Sequence, residues 1–218
     1  MNKLTLVIGN KNYSSWSLRA WLAARKSGLP FDEVNLSLLQ PAFDNHIGDY
    51  TQAGRVPVLM VDGVSVWDSL AICEYLNECA DHRLWPAERM ARAHARSACA
   101  EMHSGFDTLR SALPMNCRAQ GRKVDVGKAL KRDIDRIMSV WGEARERFGR
   151  GGGWLYGAFS IADAFYAPVV LRFKTYDVPV DAVAHRYMDH LLADADIQKW
   201  AADADQESEI LEEEEAGI

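Results

Sequence analysis

Asn12-Tyr13-Ser14-Ser15-Trp16-Ser17-Leu18-Arg19 stands where the periodicity of the chain changes. Upstream, Leu4-Thr5-Leu6-Val7-Ile8 is a short apolar run closed by Gly9-Asn10, the pattern of a buried strand. Downstream, Leu18, Trp21 and Leu22, followed by Ala23-Ala24, are spaced like one face of a helix that should stop near Gly28-Leu29-Pro30. A cluster of hydroxyls therefore sits where a strand hands over to a helix. There, unpaired backbone N–H groups and the helix dipole favour negative charge. Two roles are open for Ser14 and Ser15: a helix cap, for which serine is a favoured residue, or a ligand for a bound anion.

Working outward, Phe31 to Leu36 alternates with period two and predicts a second strand. A polar, irregular stretch from Gln40 through His46 to Gly54 follows. Arg55-Val56-Pro57-Val58-Leu59-Met60-Val61 then reads as a third strand, and Asp62-Gly63 is a two-residue hairpin signal leading into Val64-Ser65-Val66-Trp67. Asp68-Ser69 should cap a helix carrying Leu70, Ile72, Cys73, Tyr75 and Leu76. The order βαβ, then ββα, is that of a thioredoxin-like half-domain, with a right-handed crossover between the first two strands.

Strand signals vanish in the second half. Asp81 to Pro86 reads as a linker, with Trp85 tucked against one domain. Glu88 to about Leu113 is helical in composition and broken at Pro114, and a charged helix runs from about Val124 to Phe148. Gly149-Arg150-Gly151-Gly152-Gly153 is a turn. Ser160-Ile161-Ala162-Asp163 has capping-box spacing and opens an apolar helix to Phe173 that contains Pro168. Shorter helices are expected over Asp181 to Leu192 and Asp194 to Ala204. The fold class is thus α/β followed by all-α. The divisions fall at 1–80 for the thioredoxin-like domain, 81–86 for the linker, 87–204 for the helical domain and 205–218 for an acidic tail.

The 218 residues carry a formal charge of −6, but eight acids and no Lys or Arg lie beyond Ala202. Setting those eight aside from the 31 acids leaves 23 against 25 basic residues. The acidity belongs to the tail, expected to be solvated and poorly ordered. No basic stripe calls for nucleic acid, and no apolar run approaches the roughly 18 residues of a membrane span. Cys73, Cys79, Cys99 and Cys117 lack C-x-x-C spacing, so buried free thiols are expected rather than disulfides or a metal. With no signal pattern at Leu4–Ile8, the expectation is a cytoplasmic protein.

Three features of the first 70 residues gain meaning together: the serine cluster, Val56-Pro57, and Asp68-Ser69. Pro57 could mark a strand edge or first residue. In a cis bond it would instead turn the backbone of Val56 outward to pair with an extended peptide. Asp68-Ser69 could simply cap its helix. Alternatively, Ser69 and the helix N-terminus could hold a carboxylate while Asp68 meets an ammonium. A hydroxyl at one end, a strand-like edge in the middle and a carboxylate clamp at the other suit a small peptide-like anion.

On these residues, with Leu84-Trp85-Pro86 and Ser160-Ile161-Ala162-Asp163 in the same order, the chain resembles the cytosolic glutathione transferases. The resemblance implies the cis form of Pro57, a homodimer, and glutathione as cosubstrate. The pattern Ser14-Ser15-x-Ser17-x-Arg19 is similar to the zeta class, in which the first serine serves the thiol. Trp16 departs from that class, which usually has Cys there. The implied assignments are Ser14, with Ser15 supporting, at the thiol, and Val56, Pro57, Asp68, Ser69 and Gln40 at the rest of glutathione. His46 is an alternative to Gln40, and Tyr13 is a rival thiol ligand. Arg19 is either a solvated helix residue or a holder of anionic substrates, and His103 and Phe106 are expected in core or interface packing. Arg92 and Arg96 would line a dimer seam or face solvent. The implied function is attack of a serine-stabilised thiolate on small electrophiles. The rivals are a glutathione-dependent cis–trans isomerase of the maleylacetoacetate type and a binding protein without turnover.

Overall fold

A computed structural model describes residues 3–38 and 41–217. The central strand, β1 (Leu4–Ile8), is apolar and buried because it is paired on both edges. It runs parallel to β2 (Asp32–Asn35) and antiparallel to β3 (Val58–Val61), which pairs in turn with β4 (Val64–Trp67). The order across the sheet is β2-β1-β3-β4. At the tip of the last hairpin Asp62 and Gly63 take φ values of 47° and 86°. Those two left-handed positions are what an Asp-Gly turn supplies.

The helix α1 (Ser15–Ser27) ends at Gly28, whose φ of 72° provides the left-handed cap. Its apolar residues are not confined to the one face expected. Leu18, Ala20, Trp21, Leu22, Ala23 and Ala24 are all buried, because α1 packs against both α3 (Ser69–Cys79) and α7 (Ile161–Thr175). A helix enclosed on several sides reads as apolar nearly all round. On the other face of the sheet, Val7, Ile47 and Val58 form a smaller core with Val34, Leu36 and Phe43 against it. Phe43 and Ile47 belong to a short helix, α2 (Pro41–Ile47), in the stretch expected to be irregular. Their i, i+4 spacing is the one signal for it.

The helical half holds α4 (Arg89–Ser104), α5 (Asp107–Ala112), α6 (Lys128–Phe148), α7, α8 (Ala182–Leu192) and α9 (Ala195–Asp205). The helical stretch expected to reach Leu113 breaks earlier, at Gly105-Phe106, where Phe106 takes a φ of 60°. Leu84 and Trp85 in the connecting segment are buried, and the Leu84 carbonyl accepts from the Ile161 N–H at the start of α7. Asp163 closes that start: its carboxylate accepts from the N–H groups of Leu155 and Ser160 and from the Ser160 hydroxyl. The helix continues through Pro168 without ending. All four cysteines are free; Cys73 and Cys99 are buried, Cys117 is half-buried, and Cys79 is exposed, against expectation.

The acidic segment is the largest departure from the sequence reading. It is folded back onto the β1–α1 corner rather than solvated. Glu207 accepts from the backbone N–H groups of Lys11 (2.6 Å) and Asn12 (2.9 Å), and Glu209 accepts from Ser37 (2.8 Å). Leu211 is buried, and Glu212–Glu214 form a single 3₁₀ turn. The segment is drawn back because four of its acids, Asp203, Glu207, Glu209 and Glu215, find donors far upstream. That complementarity is invisible to a local count of charges. No helix among the described residues is long and apolar enough to cross a membrane.

Candidate active site

A cavity of about 810 Å³ opens between the β1–α1 corner, the turn before β3, the start of α3, and the helical half. Ser14, Ser15, Val56, Pro57, Asp68 and Ser69 all line it. Gln40, the remaining residue assigned from the sequence, lies outside the described residues. Its alternative, His46, is exposed, is not on the cavity wall, and has Nδ1 3.7 Å from the Asp49 carboxylate.

Ser14 is the N-cap of α1, with its Oγ 3.4 Å from the Ser17 N–H. Its Oγ is also 2.7 Å from the Ser17 hydroxyl, which accepts from the Gly9 N–H at 3.0 Å. Each hydroxyl has one proton and two acceptor positions. The Ser14 hydroxyl donates to Ser17 Oγ here, and rotating both hydroxyls so that Ser17 donates to Ser14 instead frees the Ser14 proton for a group in the cavity. Both readings of Ser14, cap and anion ligand, are therefore compatible in one geometry. Ser15 Oγ accepts from Arg172 Nη2 at 3.3 Å. Tyr13, the rival thiol ligand, also lines the cavity, with its hydroxyl engaged by other side chains. The Tyr13 hydroxyl donates to Glu215 Oε1 (2.7 Å) and accepts from Arg118 Nη2 (2.9 Å). Burial, with Glu215 beside it, pushes the phenol pKa up.

The Val56–Pro57 bond is cis, and Pro57 sits immediately before β3, where no ladder bond is lost. Asp68 caps α3 with a φ of 74°; its Oδ1 accepts from the Leu70 N–H (2.8 Å) and its Oδ2 is 3.2 Å from His103 Nε2. Ser69 is 1% exposed, and among the described residues its Oγ has no hydrogen-bond partner. A buried hydroxyl left unpaired on a cavity wall is an unspent donor.

Arg19 is neither solvated nor on the wall. Its guanidinium lies buried against the rings of Trp16 (4.2 Å) and Phe165 (4.8 Å). Burial, then Arg110 and Arg172, push its pKa down to about 9. Trp16 also carries the Arg110 guanidinium at 4.6 Å and the edge of His103 at 5.1 Å. Phe106 is buried in the core, as expected. Arg92 donates to the carbonyls of Pro86 and Ala87, and Arg96 lies over Trp85.

Sequence reasoning missed the helical wall, formed by Arg110, Arg172 and Glu214. Arg172 is buried, its Nε donates to the Leu113 carbonyl (2.7 Å), and burial with Arg110 nearby pushes its pKa down to about 10. It remains a cation at neutral pH. Its one sequence signal is a charged residue inside the otherwise apolar run from Ala164 to Phe173. The cavity thus offers hydroxyls and a helix N-terminus on one side and guanidinium groups on the other, an arrangement suited to holding an anion.

The model described as glutathione S-transferase, N-terminal domain, matches residues 13–79, and the one described as glutathione S-transferase, C-terminal domain, matches residues 127–197. A probable maleylacetoacetate isomerase of Caenorhabditis elegans is 33% identical over 98 residues, 44% of this chain and 45% of the relative. This match spans less than half of the relative's length. The maleylacetoacetate isomerase of Rattus norvegicus is 26% identical over 179 residues, covering 78% of this chain and 80% of that protein. Among solved structures, a Burkholderia glutathione transferase homolog with bound glutathione superposes with a TM-score of 0.70 at 24% identity, over 94% of this chain and 100% of that one.

Proposed function

The chain belongs to the glutathione S-transferase family, and from that premise we propose that it is a glutathione transferase whose thiolate is held by Ser14. Convergence carries the reading: Ser14-Ser15, Val56-Pro57 and Asp68-Ser69, distant in sequence, meet on one cavity. In this reading glutathione lies along the wall before β3, pairing its backbone with Val56. Ser69 Oγ and the N–H groups of α3 take the γ-glutamyl carboxylate, Asp68 takes the ammonium, and the sulfur rests at Ser14 with Ser15 and Arg172 behind it. Gln40 is kept for the glycine carboxylate.

Magnitudes support generating the nucleophile without a general base. A free thiol has a pKa near 8.5, so only a few per cent ionises at neutral pH. A hydrogen bond to a charged group contributes about 1.5–3 kcal/mol, and a helix N-terminus about 0.3–1 kcal/mol. At about 1.4 kcal/mol per pKa unit, together they lower the thiol by about one to three units. The bound sulfur would then be largely thiolate, aimed at an electrophile in the remaining space toward Arg110.

A second reading, glutathione-dependent cis–trans isomerisation, is favoured by the relatives named maleylacetoacetate isomerase. There the thiolate adds to an activated double bond and leaves again. Rates with chlorodinitrobenzene and with maleylacetoacetate separate the two. We further propose a cytoplasmic homodimer. Three large apolar side chains, Val64 and Trp67 on β4 and Met90 at the start of α4, are 65%, 57% and 60% exposed and would be covered by a second copy seated on those elements. Sedimentation as a monomer at micromolar concentration would remove that part.

Titration calorimetry with glutathione tests the central claim. Heat of binding is expected for the native chain, with the dissociation constant raised about three- to tenfold in Ser69→Ala, the loss of one hydrogen bond. Absence of heat refutes the reading, and an unchanged constant in Ser69→Ala refutes the clamp.

A further inference from the structure

The cavity wall contributed by the folded-back C-terminal segment has no role in binding glutathione as proposed above, yet it is rigidly held. Glu215 accepts from the Tyr13 hydroxyl (2.7 Å), from Asn116 Nδ2 (2.8 Å) and from Arg122 Nη2 (2.6 Å). Leu211 is buried on the other side of the 3₁₀ turn, and Arg118 donates to the carbonyls of Glu207 and Glu209. Glu214 is fixed between these anchors, half-buried and facing the same cavity as Ser15, Arg110 and Arg172. Burial raises its pKa, and Arg172 opposes that rise.

We infer that Glu214 is a specificity-determining residue that offsets Arg172 on the electrophile side of the cavity and selects against electrophiles carrying a carboxylate there. The inference rests on the transferase reading. Arg110 and Arg172 alone would make the helical wall doubly cationic and draw in any anionic cosubstrate. With Glu214 facing the same space, one of those charges is balanced from within. A carboxylated electrophile must share the wall with a fixed like charge, and in a partly desolvated site that repulsion is far stronger than in water. A neutral electrophile meets no such penalty. Specificity then comes from a built-in repulsive element rather than an added contact.

The test compares two aryl chlorides that differ in one charge, chlorodinitrobenzene and its chlorodinitrobenzoate counterpart. In both, the thiolate sulfur forms the new C–S bond, chloride leaves with the electron pair of the broken C–Cl bond, and the thiol proton has gone to solvent. Glu214→Gln keeps the shape and removes the charge. It is expected to raise the ratio of kcat/KM for the benzoate over the neutral chloride by about five- to tenfold. The exposed neighbour Glu213 changes net charge equally, and Glu213→Gln should leave the ratio as it is. An unchanged ratio in Glu214→Gln overturns the inference. So does an equal rise in Glu213→Gln, which would make the effect one of overall charge. A purely structural role would lower both rates together and leave the ratio fixed, again overturning it. If the native chain shows no heat with glutathione, the transferase reading fails and takes the inference with it. Normal binding and turnover with a fixed ratio removes Glu214 alone.

Discussion

The two sides of the cavity are built on different principles. The β1–α1 corner works through neutral groups: the N-cap hydroxyl of Ser14, its neighbour Ser17, and the backbone at the start of α1. The helical wall works through full charges, Arg110 and Arg172 with Glu214 opposing them, drawn from three segments far apart in sequence. A neutral corner can be assembled by local chain geometry alone. A charged wall must be balanced group by group, because an uncompensated buried ion costs several kcal/mol. The corner can stand by itself. The wall depends on α7 starting where it does and on the C-terminal segment lying where it does.

The strongest way to break the wall without touching the corner is at Asp163. Its carboxylate accepts from two buried backbone N–H groups, so Asp163→Ala leaves both unpaired and should cost about 3 kcal/mol of stability, read by denaturant unfolding. Burial pushes the Asp163 pKa up to about 6 while the hydrogen bonds pull it back. Because that value lies above the unfolded one near 3.9, the folded state keeps the proton to higher pH than the unfolded chain. The contribution of the group therefore falls as pH rises from about 4 to about 6 and is flat beyond. The stability gap between the native chain and Asp163→Asn should narrow across that window by on the order of 2 kcal/mol. A gap that widens would reverse the assignment of burial as the dominant cause.

The corner is broken at Ser14. Ser14→Ala removes the hydroxyl nearest the proposed sulfur, and kcat/KM should fall by about ten- to a hundredfold, the equivalent of one hydrogen bond to a charged group. Affinity for glutathione should change little, because the clamp proposed for its γ-glutamyl end is elsewhere. The ultraviolet thiolate band of bound glutathione should disappear. Persistence of that band would move the task to Ser15 and Arg172, and the neutral corner would no longer be the seat of activation.

Legibility follows the same division. The succession of strands and helices in the first half, the Asp62-Gly63 turn and the capping of α1, α3 and α7 are decided by residues within a few positions of one another, and all could be read directly. Among the described site residues, those of the α/β half also come from strand–turn–helix junctions, which carry local signals. Arg172 could not be placed, because the face of a helix buried all round is set by its tertiary neighbours. Arg19 was misread for the same reason: an arginine on a helix ordinarily reaches water, yet here aromatic rings enclose it. The acidic tail was the furthest from reach. Its partners, Lys11, Asn12, Arg118 and Arg122, precede it by about a hundred residues or more, and complementarity over that distance leaves no periodic trace.

The smallest expected effect sharpens the comparison most, because it isolates the tail from the wall it completes. Glu215→Gln keeps an oxygen for Asn116 but weakens the pair with Arg122, whose two side chains are 29% and 21% exposed. Pairs this open to solvent contribute at most about 1 kcal/mol, so the midpoint of thermal unfolding should drop by no more than about 2–4 °C. Locally the effect should be larger. Amides from Leu211 to Glu215 should exchange several-fold faster, since a short segment held by few contacts opens independently of the core. Amides in β1 and α1 should not change. If the segment keeps its protection, the tether lies instead in Glu207, whose carboxylate binds the Lys11 and Asn12 N–H groups. The tail would then be fastened to the neutral corner rather than to the charged wall, and the two sides of the cavity would be mechanically one.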